Sequence, residues 1–217
     1  MEMTVKRRRV YDSPRRQEQA RATRAAILEA ARDLFIERGY VATTMEAIAT
    51  KARISPATVY TAFTNKRSLL SAVVDVSITG DDAPVPILHR PWVQELRAEP
   101  ELDRRIAMLA RNGRLILERR APVDDVVRAA AASDPDIAEL WQAGKAQRLA
   151  GQRELLRIVA GGVRFRDGLG ESDAVDTLYT LGSPETYRLL TADRGWSPAR
   201  FERWYADTMA RLLFAER

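Results

Sequence analysis

Apolar residues recur at the spacing of an α-helix along most of this chain. The first such segment spans residues 17–38, where the apolar positions fall on one stripe of a helical surface. These positions are Ile27, Leu28, Ala31, Leu34 and Phe35. Gly39 follows as a natural stop signal. No segment alternates between apolar and polar residues as a half-buried strand does, and the sequence has no internal repeat, so the pattern predicts an all-α fold.

Two short helices, separated by a tight break, are predicted next. The pair Thr43-Thr44 can cap the first helix, over residues 45–51. The pair Ser55-Pro56 marks the start of the second, over residues 57–63, because serine suits the N-cap and proline suits the first turn. Asn65 can cap a fourth helix. The apolar face of that helix carries Leu69, Leu70, Val73 and Val74.

The strongest interruption of the pattern is residues 80–91, which hold two aspartates, three prolines and one glycine. Only helices are predicted beyond it, over residues 91–98, 101–119, 122–132, 135–160, 171–181, 184–192 and 198–215. This organisation predicts an N-terminal helix–turn–helix domain followed by a larger helical domain. We expect a basic flexible arm over residues 1–16, the first domain over 17–79 with its helix–turn–helix at about 44–63, and the larger domain over 80–217.

Composition excludes several classes of chemistry. The chain has 217 residues, of which 46% are hydrophobic and 30% are charged, as in ordinary globular proteins. It has no cysteine, which excludes disulfides, thiolate zinc sites, iron–sulfur clusters and cysteine nucleophiles. His89 is the only histidine, and we expect it to be structural or exposed, so neither a metal nor a cofactor is predicted. No signal peptide or membrane-spanning run is apparent, and we expect a cytoplasmic protein with no membrane partner.

Positive charge is concentrated at the start of the chain. Residues 1–67 carry 14 Lys and Arg against 7 Asp and Glu, whereas residues 68–217 carry 21 against 23. A basic segment of this kind favours a polyanionic partner such as nucleic acid, although a solvated basic face would look the same. A helical wheel of residues 57–63, with Val59 facing inward, places Ala57 and Thr61 outward with Thr58 and Tyr60 beside them. No acidic residue lies on that face, as a helix in the DNA major groove requires, but many small helical pairs share this property.

Several motifs agree in type and spacing with one known family. The runs Thr44-Met45-Glu46-Ala47-Ile48-Ala49, Ser55-Pro56-Ala57-Thr58-Val59-Tyr60 and Phe63-Thr64-Asn65-Lys66 resemble the DNA-binding domain of TetR-family transcriptional regulators, over about residues 20–75. The C-terminal part resembles a ligand-binding domain of the same family more weakly, through Gly182-Ser183-Pro184-Glu185 and Gly195-Trp196-Ser197.

The resemblance implies roles for individual residues of the helix–turn–helix. The candidate DNA-binding residues are Thr44, Arg53, Ser55, Pro56, Ala57, Thr58, Tyr60, Thr61 and Lys66. Pro56, Ala57, Thr58 and Thr61 match base-reading positions. Thr44, Tyr60 and Lys66 match phosphate-contacting positions, but the same side chains could serve as a helix cap, as packing or as a solvated charge. Because no base reader is Arg, Lys, Asn or Gln, we expect readout by methyl contacts, hydroxyls and DNA shape.

Arg53 departs from the family pattern, which usually has glycine in the turn. If this position needs a positive φ, a side chain there costs about 1 kcal/mol. Either a phosphate contact compensates for that cost or the turn has a different shape.

The last predicted helix, over residues 198–215, is apolar over more than half of its circumference. Such a helix needs two burying partners, of which one is its own domain. A second subunit would be the other, through a two-fold helical bundle of this helix and residues 171–181, unless the helix is central to its own fold. The candidate interface residues are Leu178, Met209 and Leu213. We expect a charge at Leu213 to separate the subunits, whereas Leu212 should belong to the core of the monomer.

The resemblance also implies an inducer pocket among the middle helices. Its candidate lining residues are Trp92, Met108, Asn112, Leu115 and Trp141, each of which could equally be ordinary core. These side chains favour a small organic, largely hydrophobic effector. The predicted function is a homodimeric repressor that binds a palindromic operator in double-stranded DNA and is released by the effector. An architectural DNA-binding protein is the alternative. No enzyme is predicted, because the chain has no recognisable catalytic motif.

Overall fold

The computed structural model describes residues 14–215, and that part of the chain is built from helices joined by short connections. The helices are α1 (Pro14–Ala42), α2 (Met45–Ala52), α3 (Pro56–Ala62), α4 (Lys66–Thr79), α5 (Pro91–Ala98), α6 (Leu102–Ala131), α7 (Pro135–Ala160), α8 (Glu171–Leu181), α9 (Pro184–Arg188) and α10 (Pro198–Leu213). The only β-type pairing within 14–215 is an isolated bridge between Phe165 and Phe214. The all-α prediction is confirmed. No helix of this region combines the length and the apolar character that crossing a membrane requires.

Helix α1 starts earlier and ends later than its sequence pattern predicts. It begins at Pro14, so residues 14–16 of the predicted arm form its first turn, and residues 1–13 lie outside the described part of the chain. Gly39 kinks the helix rather than ending it, with φ 79° and ψ 167°. The hydroxyl of Thr43 donates to the carbonyl oxygens of Leu34 (3.1 Å) and Gly39 (2.8 Å). Thr43 therefore serves the end of α1, and Thr44 alone caps α2.

Helix α6 is one helix of 30 residues where two were predicted, over 101–119 and 122–132. Pro122 lies inside it, although a proline has no N–H to donate to the carbonyl four residues before it. Buried apolar side chains lie on both sides of the proline, at Leu117, Ala121 and Val123. The continuous burial of this face explains why the helix is not broken.

Two hydrophobic cores lie along the molecule, and α6 contributes to both. The first core joins α1–α4 to the last turns of α6 and to Ile137 at the start of α7. The second joins α5, the N-terminal two thirds of α6, the end of α7, and α8–α10. A shift of α6 would therefore change the packing of both cores. The domain division at residue 80 stays a prediction.

The three residues predicted for a subunit interface belong to the second core. Leu178, Met209 and Leu213 are each no more than 1% exposed within their own chain, so they have no surface to offer to a partner, and this assignment was wrong. The core stripe of α10 is Phe201, Tyr205, Met209 and Leu213, spaced four residues apart. Leu212 lies one residue off this stripe and is 39% exposed, which reverses the expectation for the two leucines.

Candidate nucleic-acid interface and effector cavity

Helices α2, α3 and α4 each begin after an N-cap residue whose side chain accepts a hydrogen bond from a backbone N–H of the first turn. Thr44 Oγ1 accepts from the amide of Ala47 (3.1 Å), and Ser55 Oγ accepts from the amide of Thr58 (3.1 Å). Asn65 Oδ1 accepts from the amide of Ser68 (2.8 Å). Because helices of seven or eight residues are unstable alone, these caps and the shared core fix the start and direction of α2 and α3.

Arg53 forms the turn between α2 and α3 in the left-handed conformation, with φ 57° and ψ 40°. It is the only residue other than glycine with a positive φ in the described range 14–215. The amide of Ile54 donates to the carbonyl of Ala49 (3.0 Å), which closes the end of α2. The turn thus has the shape that glycine would favour, and the Arg53 side chain is exposed to solvent.

The predicted outward face of α3 is exposed, and its predicted inward face is buried. Val59 is fully buried and Phe63 nearly so. The exposed residues of this helix are Pro56, Ala57, Thr58, Tyr60 and Thr61. Thr61 donates its hydroxyl to the carbonyl of Ala57 (2.8 Å), which leaves its methyl group and oxygen lone pairs to face outward. The predicted orientation of α3 is confirmed, and the contacts of its residues with DNA stay predictions.

Tyr60 and Glu46 form a pair that sequence reasoning missed. The hydroxyl of Tyr60 on α3 donates to Glu46 Oε1 on α2 (3.1 Å). A backbone hydrogen bond and this hydroxyl lower the pKa of the exposed Glu46 carboxyl, and the carboxylate raises the pKa of Tyr60. A phosphate contact by Tyr60 would require it to leave Glu46 or share its hydroxyl between two anions.

Lys66 is more than a surface cation at the start of α4. Its Nζ donates to the carbonyl oxygens of Tyr40 (2.8 Å), Thr43 (2.9 Å) and Val41 (3.4 Å), and it lies 4.4 Å from the centre of the Tyr40 ring. Burial lowers the pKa of this ammonium group. Lys66 therefore binds the free carbonyls at the end of α1, and its phosphate contact stays a prediction.

A cavity of about 170 Å³ lies between α4, α6, α7 and α10. Of the five residues predicted to line a pocket, only Trp92 does so. The wall from α6 is formed by Leu109, Gly113, Ile116, Leu117 and Arg120. Met108, Asn112 and Leu115 each lie one position before a lining residue, about 100° around the helix, and Trp141 packs against the first core, so these four residues do not border this cavity.

Glycines inside helices are the sequence signal that could have located the cavity. Gly113 on α6 and Gly144 and Gly151 on α7 all border it. Glycine inside a helix is destabilising relative to alanine, so it points to a close approach or to open space beside the helix. At Gly113 the ring of Tyr205 approaches the backbone of α6 closely, because a Cβ on Gly113 would lie 3.1 Å from that ring.

Two arginines border the cavity, and each has a partner. Arg120 pairs with the buried carboxylate of Asp124, whose pKa is raised by burial although Arg120 opposes that shift. Arg148 donates to the carbonyl of Tyr179 (3.0 Å), and its guanidinium lies 3.5 Å from the centre of that ring. Arg120 is thus neutralised by an acid, whereas Arg148 is held in place by Tyr179 without an ion pair within residues 14–215.

Comparison with known proteins agrees with this architecture. Residues 27–73, which include α2, α3 and most of α4, match the family model described as bacterial regulatory proteins, tetR family. This segment of the chain therefore carries the DNA-binding domain of the TetR family. Over 58 residues the chain is 41% identical to the HTH-type transcriptional regulator UidR of Escherichia coli K12, an alignment that spans 27% of this chain and only 30% of UidR.

Solved structures of transcriptional regulators share the fold along nearly the whole chain. NalD, the secondary repressor of the MexAB-OprM multidrug efflux pump in Pseudomonas aeruginosa, superposes with a TM-score of 0.63 at 20% identity, covering 92% of this chain and all of NalD. A regulator from Saccharomonospora viridis in complex with choline gives a TM-score of 0.65 at 20% identity, covering 90% of this chain and 99% of that one. Matching relatives are named as transcriptional regulators, which agrees with the prediction that this chain is not an enzyme.

Proposed function

We propose that this chain is a homodimeric transcriptional repressor that binds a palindromic operator and leaves it when a small organic effector occupies the cavity. Such a protein acts where the chromosome lies, in the cytoplasm. The observation that carries the proposal is the position of α4. Val74 and Ile78 on α4 form part of the cavity wall, whereas Leu69 and Leu70 on the same helix are buried in the first core with α2 and α3.

Direct hydrogen bonds join α4 to the cavity side of the molecule. Arg119 on α6 donates to the carbonyl oxygens of Ser77 (3.2 Å) and Ile78 (3.3 Å), at the end of α4. Its neighbour Arg120 borders the cavity. A ligand that repacks this wall would therefore displace α4, and with it the recognition helix α3.

The effector acts by favouring one of two spacings of the recognition helices. A two-fold dimer must hold them about 34 Å apart, or a multiple of that distance, to enter successive major grooves. A ligand that binds better to a conformation with a different spacing shifts the population away from the DNA-competent state.

A partly exposed flank of α10 is the surface we propose for the second subunit. Trp204, Thr208 and Leu212 are four residues apart beside the core stripe. Leu212 is exposed and the other two are half-buried, and Trp204 packs edge-to-face with Trp196 (6.0 Å between ring centres). This surface replaces the buried residues that the sequence suggested. A closed two-fold contact of this face agrees with the palindromic operator.

Selection of bound fragments from a random pool of duplex DNA tests the proposal. We expect an inverted repeat whose half-sites are centred about one helical turn apart, bound by two copies of the chain. Selected sequences with no shared motif would instead favour the architectural alternative, and a single unrepeated half-site would contradict the dimer.

A further inference from the structure

One end of the cavity holds a polar group without a partner. Gln152 Oε1 on α7 is the only buried side-chain oxygen or nitrogen in residues 14–215 that makes no hydrogen bond. The side chain of Gln152 borders the cavity together with Tyr205 and Gly182. A buried acceptor without a donor is costly, because it has lost its hydrogen bonds to water and gained none.

The amide of Gln152 and the hydroxyl of Tyr205 converge at Gly182. A Cβ built on Gly182 would lie 2.4 Å from the hydroxyl oxygen of Tyr205 and 3.3 Å from Nε2 of Gln152. Oε1 is shielded from the cavity in the conformation described, so a ligand reaches this acceptor only after a half-turn of the amide about its last bond, which exchanges its oxygen and nitrogen. This end can therefore both accept and donate a hydrogen bond.

The rest of the cavity is apolar and has room beside α7. Ile78, Trp92, Leu109 and Leu155 are among its walls. A Cβ built on Gly151 would meet no atom within 4 Å, so this glycine leaves open space at the cavity surface. The volume of about 170 Å³ is close to that of an engineered cavity of about 150 Å³ that binds benzene.

The charge balance decides the kind of polar group that the ligand carries. Arg120 is neutralised by Asp124, and Arg148 is held by the carbonyl and the ring of Tyr179. Among the described residues Arg148 makes no ion pair, but its guanidinium is already engaged by Tyr179, and no unpaired carboxylate lines the cavity. A cationic group is therefore disfavoured, and a neutral hydrogen-bonding group fits the Gln152 end.

We propose that the cavity binds a neutral, one-ring aromatic molecule with a single hydroxyl group, which donates to the amide oxygen of Gln152. The inference rests on the proposed function only in naming this cavity as the effector site. Gln152 is thus a specificity-determining residue, and the apolar walls and Gly151 set the size of the ring system.

Binding of three probes to the purified full-length protein tests the proposal. The probes are phenol, toluene of the same size without a hydroxyl, and the anion benzoate, each titrated by calorimetry. We expect phenol to bind about three- to tenfold more tightly than toluene, the worth of one neutral hydrogen bond, and benzoate to bind more weakly than phenol. Gln152→Leu should abolish the preference for phenol over toluene. Gln142→Leu, at an exposed position of the same helix outside the cavity, should leave it unchanged.

A second variant keeps the test decisive if Gln152→Leu fails to fold. Gly151→Leu should fill the cavity and remove the binding of both phenol and toluene, whereas Ala150→Leu, on the exposed surface next to it, should not. Equal binding of phenol and toluene by the wild-type protein, tighter binding of benzoate, or no binding of any probe would each overturn the proposal. These titrations contain no DNA. Phenol binding that depends on Gln152 but does not release the operator would therefore reject the proposed coupling and leave the ligand class standing.

Discussion

The two hydrophobic cores of this protein are built for different tasks. Around the first core, short helices with side-chain caps hold one polar face of α3 toward solvent. Around the second, long helices enclose a cavity, with glycines and an orphaned amide at its walls. The buried Arg105 adds to the second core by donating to the carbonyls of Glu99, Pro100, Val159 and Ala160. The first arrangement presents a fixed surface, whereas the second leaves an interior that a ligand can repack.

The largest loss of stability is expected from a substitution in the second core, at the site where that core is most tightly packed. Leu213→Glu places a carboxylate at a site that is 1% exposed, and we expect a loss of about 4 kcal/mol or more of the free energy of unfolding. Thermal denaturation followed by circular dichroism measures this loss. The neighbouring variant Leu212→Glu, on the exposed face, should keep its helical spectrum and weaken the dimer in sedimentation. If both variants stayed folded and dimeric, the placement of α10 would be wrong.

In the first core, we expect Lys66→Ala to destabilise the protein as well as weaken DNA binding. The change leaves the carbonyls of Tyr40 and Thr43 without their donor, at a cost of about 1–3 kcal/mol. Urea denaturation measures it, with Lys51→Ala as a control because Lys51 makes only an exposed ion pair with Asp33 (3.4 Å). Equal stability of the two variants would show that the carbonyl contacts of Lys66 contribute nothing.

A smaller change in stability, this time an increase, is expected from a substitution in the turn between α2 and α3. Arg53→Gly should raise the free energy of unfolding by about 0.5–1 kcal/mol, since glycine adopts the left-handed conformation without strain. If Arg53 contacts a phosphate, the same change should reduce the salt dependence of DNA binding by about one ion. Arg53→Ala separates the two effects because it removes the charge and keeps the strain. A Gly variant less stable than the Ala variant would contradict the strain argument.

The smallest expected effect is a change in DNA affinity when Glu46, the acid beside the recognition helix, is replaced. Glu46→Gln removes a negative charge next to Tyr60, and we expect DNA affinity to rise about two- to fivefold at low salt for specific and random duplexes alike. Fluorescence anisotropy at several salt concentrations measures the change. Glu95→Gln, on the exposed surface of α5, makes the same change in net charge and should have less effect. The same gain in both variants would attribute the effect to net charge rather than to the Tyr60 pair.

The same contrast between the cores explains what the sequence could predict. The caps at Thr44, Ser55 and Asn65 and the inward face of α3 depend on residues three or four positions apart, so they can be recognised from local pattern. The cavity wall and the buried side of α10 depend on which face of a long helix meets a distant segment. If the buried face of a helix is assigned one residue too early or too late, the prediction is rotated by about 100°. This is why Met108 and Asn112 were predicted to line the cavity and why the roles of Leu212 and Leu213 were exchanged.

Some contacts have no local signal at all. Lys66 meets carbonyls more than twenty residues away in the chain, and Tyr60 meets an acid on another helix. The sequence shows that these residues are polar and near a helix start, but partners of this kind are set by tertiary packing. The continuity of α6 through Pro122 is a further case, because burial on both sides of a proline outweighs its helix-breaking tendency.

Helix α6 is one continuous helix, but its two ends belong to different hydrophobic cores, which are different cooperative units of unfolding. Since Pro122 has no amide proton, the carbonyl of Glu118 lacks its helical partner, and one backbone hydrogen bond of the helix is missing between the cavity wall and the first core. Amide hydrogen exchange should therefore divide this helix near residue 122. Protons before it should exchange at the opening rate of the second core, and protons after it at that of the first.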